Sequence, residues 1–326
     1  MTSIRSPHFR TAALLALGVS TVTLAQENRG PSGFVDSTDG VRLFYQVQGT
    51  GPRETVVLHG GPGLSLRYLL PDLQPLVRSR SLIAYDQRGS GRSTIPKEDR
   101  HISLDKHVGD LEAIRRHFSV ERLTLIGHSW GATVATHYAL RHPSRVARLL
   151  LIDPMPPRKD PWEQRFAEAV SRGWGHVTQK EIERLDAEIL KADDPIPACR
   201  RFFQLYAGPY FADRSKAQSS KGDPCADPPE ALRAWTRTAQ LTLGSLGPDY
   251  DWRALLKVLK QPTLIIHGDK DPIPIESARE WSASLPNGRL LVMPNTGHFP
   301  FVEQPDVFFA AAERFLSGEW PANAGR

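Results

Sequence analysis

Cysteine is almost missing from this chain: its 326 residues include two, Cys199 and Cys225. Neither stands in a Cys-x-x-Cys pair or a Cys/His cluster, so the two cannot build a zinc site by themselves. In an oxidising compartment they could pair; otherwise they are two unrelated thiols. Basic runs interleaved with aromatics are also lacking. The formal net charge is +5, but both signs are scattered along the chain, which leaves no footprint for a nucleic acid. Long apolar runs are missing too. The apolar stretch at 11–24 is too short to cross a bilayer comfortably. There is no internal repeat and no low-complexity tract, which argues against stacked-repeat and unfolded chains.

What is present begins with a leader. Arg5 and Arg10 precede the apolar stretch, and Thr23, Leu24 and Ala25 form a cleavage site of small residues before Gln26. Residues 1–25 therefore read as a signal peptide, with an exported (periplasmic or secreted) mature protein free of the membrane. An uncleaved anchor or a disordered tail is the alternative. Without the two leader arginines the formal charge falls from +5 to +3.

Strand and helix patterns then alternate. Asp39-Gly40 reads as a hairpin turn between strands at 34–38 and 41–48. Short apolar runs at 55–58, 82–85, 123–126, 147–152, 263–267 and 289–292 read as buried strands. Helical stripes start near Ser103, follow Ser129, and recur at 277–285 and 304–316. Prolines at 154, 156, 157, 161, 195, 197, 224, 228 and 229 interrupt this order. The reading is an α/β fold with a mostly parallel central sheet and helices on both faces. A core at 26–153 and 248–326 is interrupted by a mainly helical cap insertion at 154–247. In such sheets ligands bind at the carboxyl ends of the strands.

Three loops at such ends carry chemistry. Gly127-His128-Ser129-Trp130-Gly131 lies between a strand and a helix, the setting of a nucleophile elbow. The turn projects the serine from the sheet, and the helix that follows turns its positive end to the site. A serine hydroxyl needs a base, and the base needs an orienting acid, in the chain order serine, acid, histidine. His298, after the last strand, is the base. Asp271 is the acid, with Asp269 and Asp153 as competitors; Asp269 suits bracing its loop. His59-Gly60-Gly61-Pro62-Gly63 lets backbone amides approach an anion, so the amides of Gly61 and Trp130 are the oxyanion pair. His128 is read as packing between helix and sheet. Asp86 and Arg88 are read as a pair bracing their own loop.

These motifs, "HGGPG", "DQRGSGRS" and "GHSWG", resemble the α/β-hydrolase superfamily and, within it, the proline iminopeptidase family. The resemblance implies a serine hydrolase with no metal and no organic cofactor, releasing N-terminal proline or other residues from peptides. It rests on Gly60, Gly61, Asp86, Arg88, Gly89, Gly91, Ser93, Ser129, Trp130, Asp271 and His298. The chain departs from that family at His128, where glycine is usual, and at Ala132, where serine is usual. The family's Trp-x-x-Trp-Glu stretch, whose glutamate helps bind the substrate amine, is answered by "AWTRTA". Trp235 is kept, but Thr238 and Ala239 replace the second tryptophan and the glutamate.

A free amine entering a covered site needs a carboxylate, and Glu163, Glu168 and Glu230 are the candidates. The aromatics of "CRRFFQLYAGPYF" offer an apolar pocket or ordinary helix packing. The expected function is therefore an aminopeptidase of this type. A carboxylesterase on small neutral esters or amides is the alternative, and a non-catalytic ligand-binding protein is a third reading. The expected partner is a short peptide or small molecule.

Overall fold

The computed structural model describes residues 29–174 and 179–325. The expected signal peptide at 1–25 lies outside them. Eight strands form one sheet: β1 (Arg29–Asp36), β2 (Arg42–Gln48), β3 (Thr55–Leu58), β4 (Leu82–Tyr85), β5 (Leu123–His128), β6 (Val146–Ile152), β7 (Thr263–Gly268) and β8 (Gly288–Met293). Their order is β1-β2-β4-β3-β5-β6-β7-β8. β1 and β2 pair antiparallel, as do β2 and β4; all other pairs are parallel. The parallel centre explains the sequence pattern. β3, β4 and β7 are buried on both faces, so they are continuous apolar runs rather than alternating ones.

Each face has its own core. On one side Val108, Leu111 and Ile114 of the helix Leu104–His117 pack with Trp130, Tyr138 and Trp281. On the other, Leu66, Leu69, Phe308 and Phe315 pack against Val57, Ile126 and Ile266. Ser103 caps its helix by accepting from the Lys106 amide. The β1–β2 hairpin turns through Thr38–Gly40, with Asp39 at φ 62° and Gly40 at φ 71°, so its loop is longer than a two-residue turn.

Between β6 and β7 lie four long helices, Trp162–Trp174, Gln179–Lys191, Ile196–Tyr206 and Pro229–Gly244. Ile182, Leu185, Phe202 and Leu232 give them a separate small core. Cys199 and Cys225 close a disulfide inside it, which resolves the pairing the sequence left open. Three bonds fasten this layer over the motif loops. Trp235 Nε1 donates to the Pro62 carbonyl (3.1 Å), Thr238 Oγ1 to the Gly89 carbonyl (2.9 Å), and Ser65 Oγ to Asp227 (2.9 Å). Among the described residues no helix is long and apolar enough to cross a membrane.

The expected Asp86–Arg88 pair does not form. Residues two apart in this loop point in different directions. Arg88 is buried and forks onto Asp110 of the helix Leu104–His117, at 2.6 and 2.7 Å. Asp86 accepts from the Leu66 and Arg92 amides and pairs with the Arg92 side chain at 3.3 Å. Breaking a buried pair strands a charge, at a cost of about 3–5 kcal/mol. Arg88→Ala should therefore lower the urea midpoint strongly, whereas Arg42→Ala, in an exposed pair with Asp36, should leave it almost unchanged. Similar midpoints for the two variants would contradict this assignment.

Candidate active site

Ser129 sits between the end of β5 and the helix Trp130–Arg141 with φ 53° and ψ −118°. A non-glycine residue there stores on the order of 1–3 kcal/mol of strain. The neighbours explain how the corner is held. A Cβ on Gly131 would collide with the Leu58 carbonyl oxygen, and one on Gly127 would lie 2.6 Å from the Ala132 backbone. Both positions must be glycine for strand and helix to meet. Ser129 itself stays partly exposed in an otherwise buried stretch.

Asp271 follows β7 and His298 follows β8. His298 Nδ1 donates to Asp271 Oδ2 at 2.7 Å, and Asp271 Oδ1 accepts from the Ile273 amide at 2.8 Å. This bond fixes the proton on Nδ1 and leaves a lone pair on Nε2, the tautomer a general base requires. Burial holds the imidazole below its ordinary value, so it is neutral at rest. The His298 ring bonds to neither competing acid. Asp269 pairs with Lys270 and receives the Thr296 amide at 3.4 Å, a loop brace. Asp153 accepts from the Gly268 amide at 2.9 Å.

The glycine loop after β3 lies against the elbow. A Cβ on Gly60 would come within 2.9 Å of the Ser129 Cβ. Gly61 has φ +120°, open to glycine and strained for other residues. Trp130 is the first residue of its helix, so its amide has no acceptor one turn earlier. Gln87, which the sequence did not single out, ties the two sides together. Its side-chain amide donates to the His59 carbonyl at 2.7 Å and accepts from the Trp130 indole at 2.8 Å.

His128 does more than pack. The Gly60 amide donates to Tyr68 Oη at 2.6 Å. With that oxygen accepting, the Tyr68 hydroxyl donates to His128 Nδ1 at 2.7 Å, and His128 Nε2 donates to the His298 carbonyl at 2.9 Å. One buried chain thus joins the glycine loop, the strand–helix corner and His298. Burial keeps His128 far below its ordinary value, so it serves as a neutral relay of hydrogen bonds. The His298 amide is held as well, donating to the Tyr210 carbonyl at 2.7 Å.

Aromatic rings of the helical layer run from the glycine loop to His298. Trp235 stacks on Phe203, Phe202 stacks on Tyr206, Tyr206 stacks on Tyr210, and Tyr210 lies 5.5 Å from the His298 ring. The candidate amine-binding glutamates are not part of this wall's buried side. Glu163 pairs with Lys159 and Glu168 with Arg172, both exposed, and Glu230 is exposed too. Among the described residues of 154–247 the buried carboxylate is Asp227, which pairs with Arg67 at 3.3 Å. It lines a small cavity with Gly63, Leu64, Phe203 and Trp235. Burial raises its carboxyl to about 7.

Residues 56–305 match the family described as alpha/beta hydrolase fold. The chain belongs to the α/β-hydrolase family. A proline iminopeptidase of Heyndrickxia coagulans is 29% identical over 293 residues, which cover 87% of this chain and 98% of that protein. A non-heme haloperoxidase of Rhodococcus erythropolis is 28% identical over 281 residues, covering 81% and 92%. The solved structure of a proline iminopeptidase-related protein from Thermus thermophilus superposes with a TM-score of 0.65 at 26% identity, covering 88% and 97%.

In this hydrolase the Tyr68 hydroxyl has one job at each end, which makes it a clean target. Tyr68→Phe leaves the Gly60 amide and His128 Nδ1 unpartnered, each at a cost of about 1–3 kcal/mol. Urea unfolding should show that loss, and kcat should fall about tenfold with KM little changed. A folded Tyr68→Phe protein with wild-type kcat would show that the chain does not position the site.

Proposed function

We propose that this hydrolase works through an acyl-enzyme on Ser129 and releases an N-terminal proline or other small apolar residue from short peptides. His298 takes the Ser129 proton as the serine attacks the carbonyl carbon. The oxyanion that forms is met by the amides of Gly61 and Trp130. His298 then gives the proton to the leaving amine, and water, activated by the same imidazole, releases the acyl group. Asp271 holds the imidazole and balances its charge when it is protonated. The three named side chains and two amides supply every group this sequence needs.

The observation that carries the substrate reading is the aromatic wall from Trp235 to Tyr210, which ends at the His298 ring. Flat apolar rings beside a base suit a compact apolar side chain such as the proline ring. The likeness to proline iminopeptidases over nearly the whole chain supports it. Asp227 is the carboxylate proposed to meet the substrate's ammonium. A second reading, hydrolysis of small neutral esters, is favoured by one observation: Asp227 is already bound to Arg67 and Ser65. We also propose export after cleavage near Ala25; the Cys199–Cys225 disulfide supports it, because such bonds persist in oxidising compartments.

The two readings part on the amine. With a proline arylamide as substrate, acetylating its nitrogen should lower kcat/KM by about a hundredfold or more, because a charged partner is lost from a covered site. Asp227→Asn should raise KM for the free amine and leave a p-nitrophenyl ester unaffected. Equal turnover of free and acetylated substrates would replace the aminopeptidase with an esterase.

The acid assignment has its own test. Asp271→Asn should cost about a thousandfold or more in kcat through loss of the correct imidazole tautomer. Asp269→Asn should cost little. The reverse ranking would move the acid to Asp269.

A further inference from the structure

Behind the Asp271–His298 pair, on β6 and β7, lies a second buried acid that the reaction above does not use. Asp153 follows β6 with φ 42°, and its amide donates to the Ile266 carbonyl at 2.9 Å. It is fully buried. One carboxyl oxygen accepts from the Gly268 amide, and the other, Oδ2, has no hydrogen-bond partner among the described residues. Beside it stands His267, also fully buried. His267 Nε2 donates to the Ile273 carbonyl at 3.0 Å, so Nδ1 carries no proton in the neutral ring. That bare nitrogen lies 3.4 Å from Asp153 Oδ1. Donor atoms of Asp153, His267 and Asp271 all fall within 4.8 Å of one another.

The charges do not balance if both acids are ionised. Among the described residues no lysine or arginine pairs with either of them, and the next acid, Glu303, adds to the negative potential. Two carboxylates this close cannot both ionise in a dry site. A lone pair on His267 Nδ1 facing a carboxylate oxygen adds further repulsion. One proton relieves both. Its place follows from the donors: Asp271 receives two N–H groups, from His298 and Ile273, whereas Asp153 receives one, from Gly268. The better-solvated carboxylate stays ionised.

We propose that Asp153 keeps its proton at neutral pH, leaving one negative charge behind His298, on Asp271. Burial first, and the Asp271 charge next, raise the Asp153 carboxyl well above the ordinary value. The device has a purpose within the proposed mechanism, on which it rests. A second negative charge there would favour the imidazolium and take His298 out of service as a base. A cation shared by the three groups is the competing occupant, but Asp271 already has both oxygens engaged.

The test uses the whole protein and has a readout independent of turnover. At neutral pH the infrared difference between wild-type protein and Asp153→Asn should contain the carbonyl band of one protonated buried carboxyl, any Asp227 contribution being common to both. The amide in that variant is neutral, as the acid is, so the base limb of the kcat/KM profile should stay within about 0.3 pH unit and kcat within about threefold. If Asp153 were ionised, removing its charge would lower that limb by about one unit or more. No such band in that difference, or a limb shifted that far, would overturn the proposal. So would one equivalent of divalent metal in purified wild type that Asp153→Asn lacks. Because the infrared band does not depend on the substrate, failure here is separable from failure of the aminopeptidase reading.

Discussion

A neutral imidazole with its free lone pair aimed one way is hard to keep in place, and most of this site serves that end. His298 is gripped through Nδ1 by Asp271, through its amide by the Tyr210 carbonyl, and through its carbonyl by His128. Each grip comes from a different part of the chain: the loop after β7, the helical layer and the elbow. Hydrogen bonds in a buried site are worth more than in water and cost more when broken. The ring therefore has little freedom to rotate.

The same logic links the glycine loop to His298. Tyr68 and His128 connect the Gly60 amide to the His298 carbonyl, while Gln87 connects His59 to the Trp130 indole. Movement of the glycine loop would therefore disturb Ser129 and His298 together. The helical layer is fastened to the motif loops. Trp235, Thr238 and Asp227 each bond to a motif loop, and the disulfide sits two residues from Asp227.

The strands and the elbow were legible because their signals are local. Four buried residues on both faces of a parallel sheet read as an apolar run, and glycines two before and two after a serine mark a close strand–helix crossing. The partners of charged and polar groups were not legible. Asp86 and Arg88 invite pairing as near neighbours, yet Arg88 finds Asp110 on a helix and Asp86 turns to Arg92. Tyr68 reaches His128 across 60 positions, and Ser65 reaches Asp227 across 162. Only the packed fold brings such residues together, and no periodicity announces them. His128 carried a weak sign, as a polar ring where the resembling family has glycine, but its partner Tyr68 carried none.

The central claim is that Ser129 becomes covalently attached to the acyl group with His298 as its base. An active-site phosphonate that mimics the tetrahedral intermediate tests it most directly, followed by digestion and mass spectrometry. The account predicts one adduct per chain, on the peptide containing Ser129, and its loss when His298 is replaced by alanine. Inactivation with the adduct on another residue, or equal labelling without His298, would contradict it.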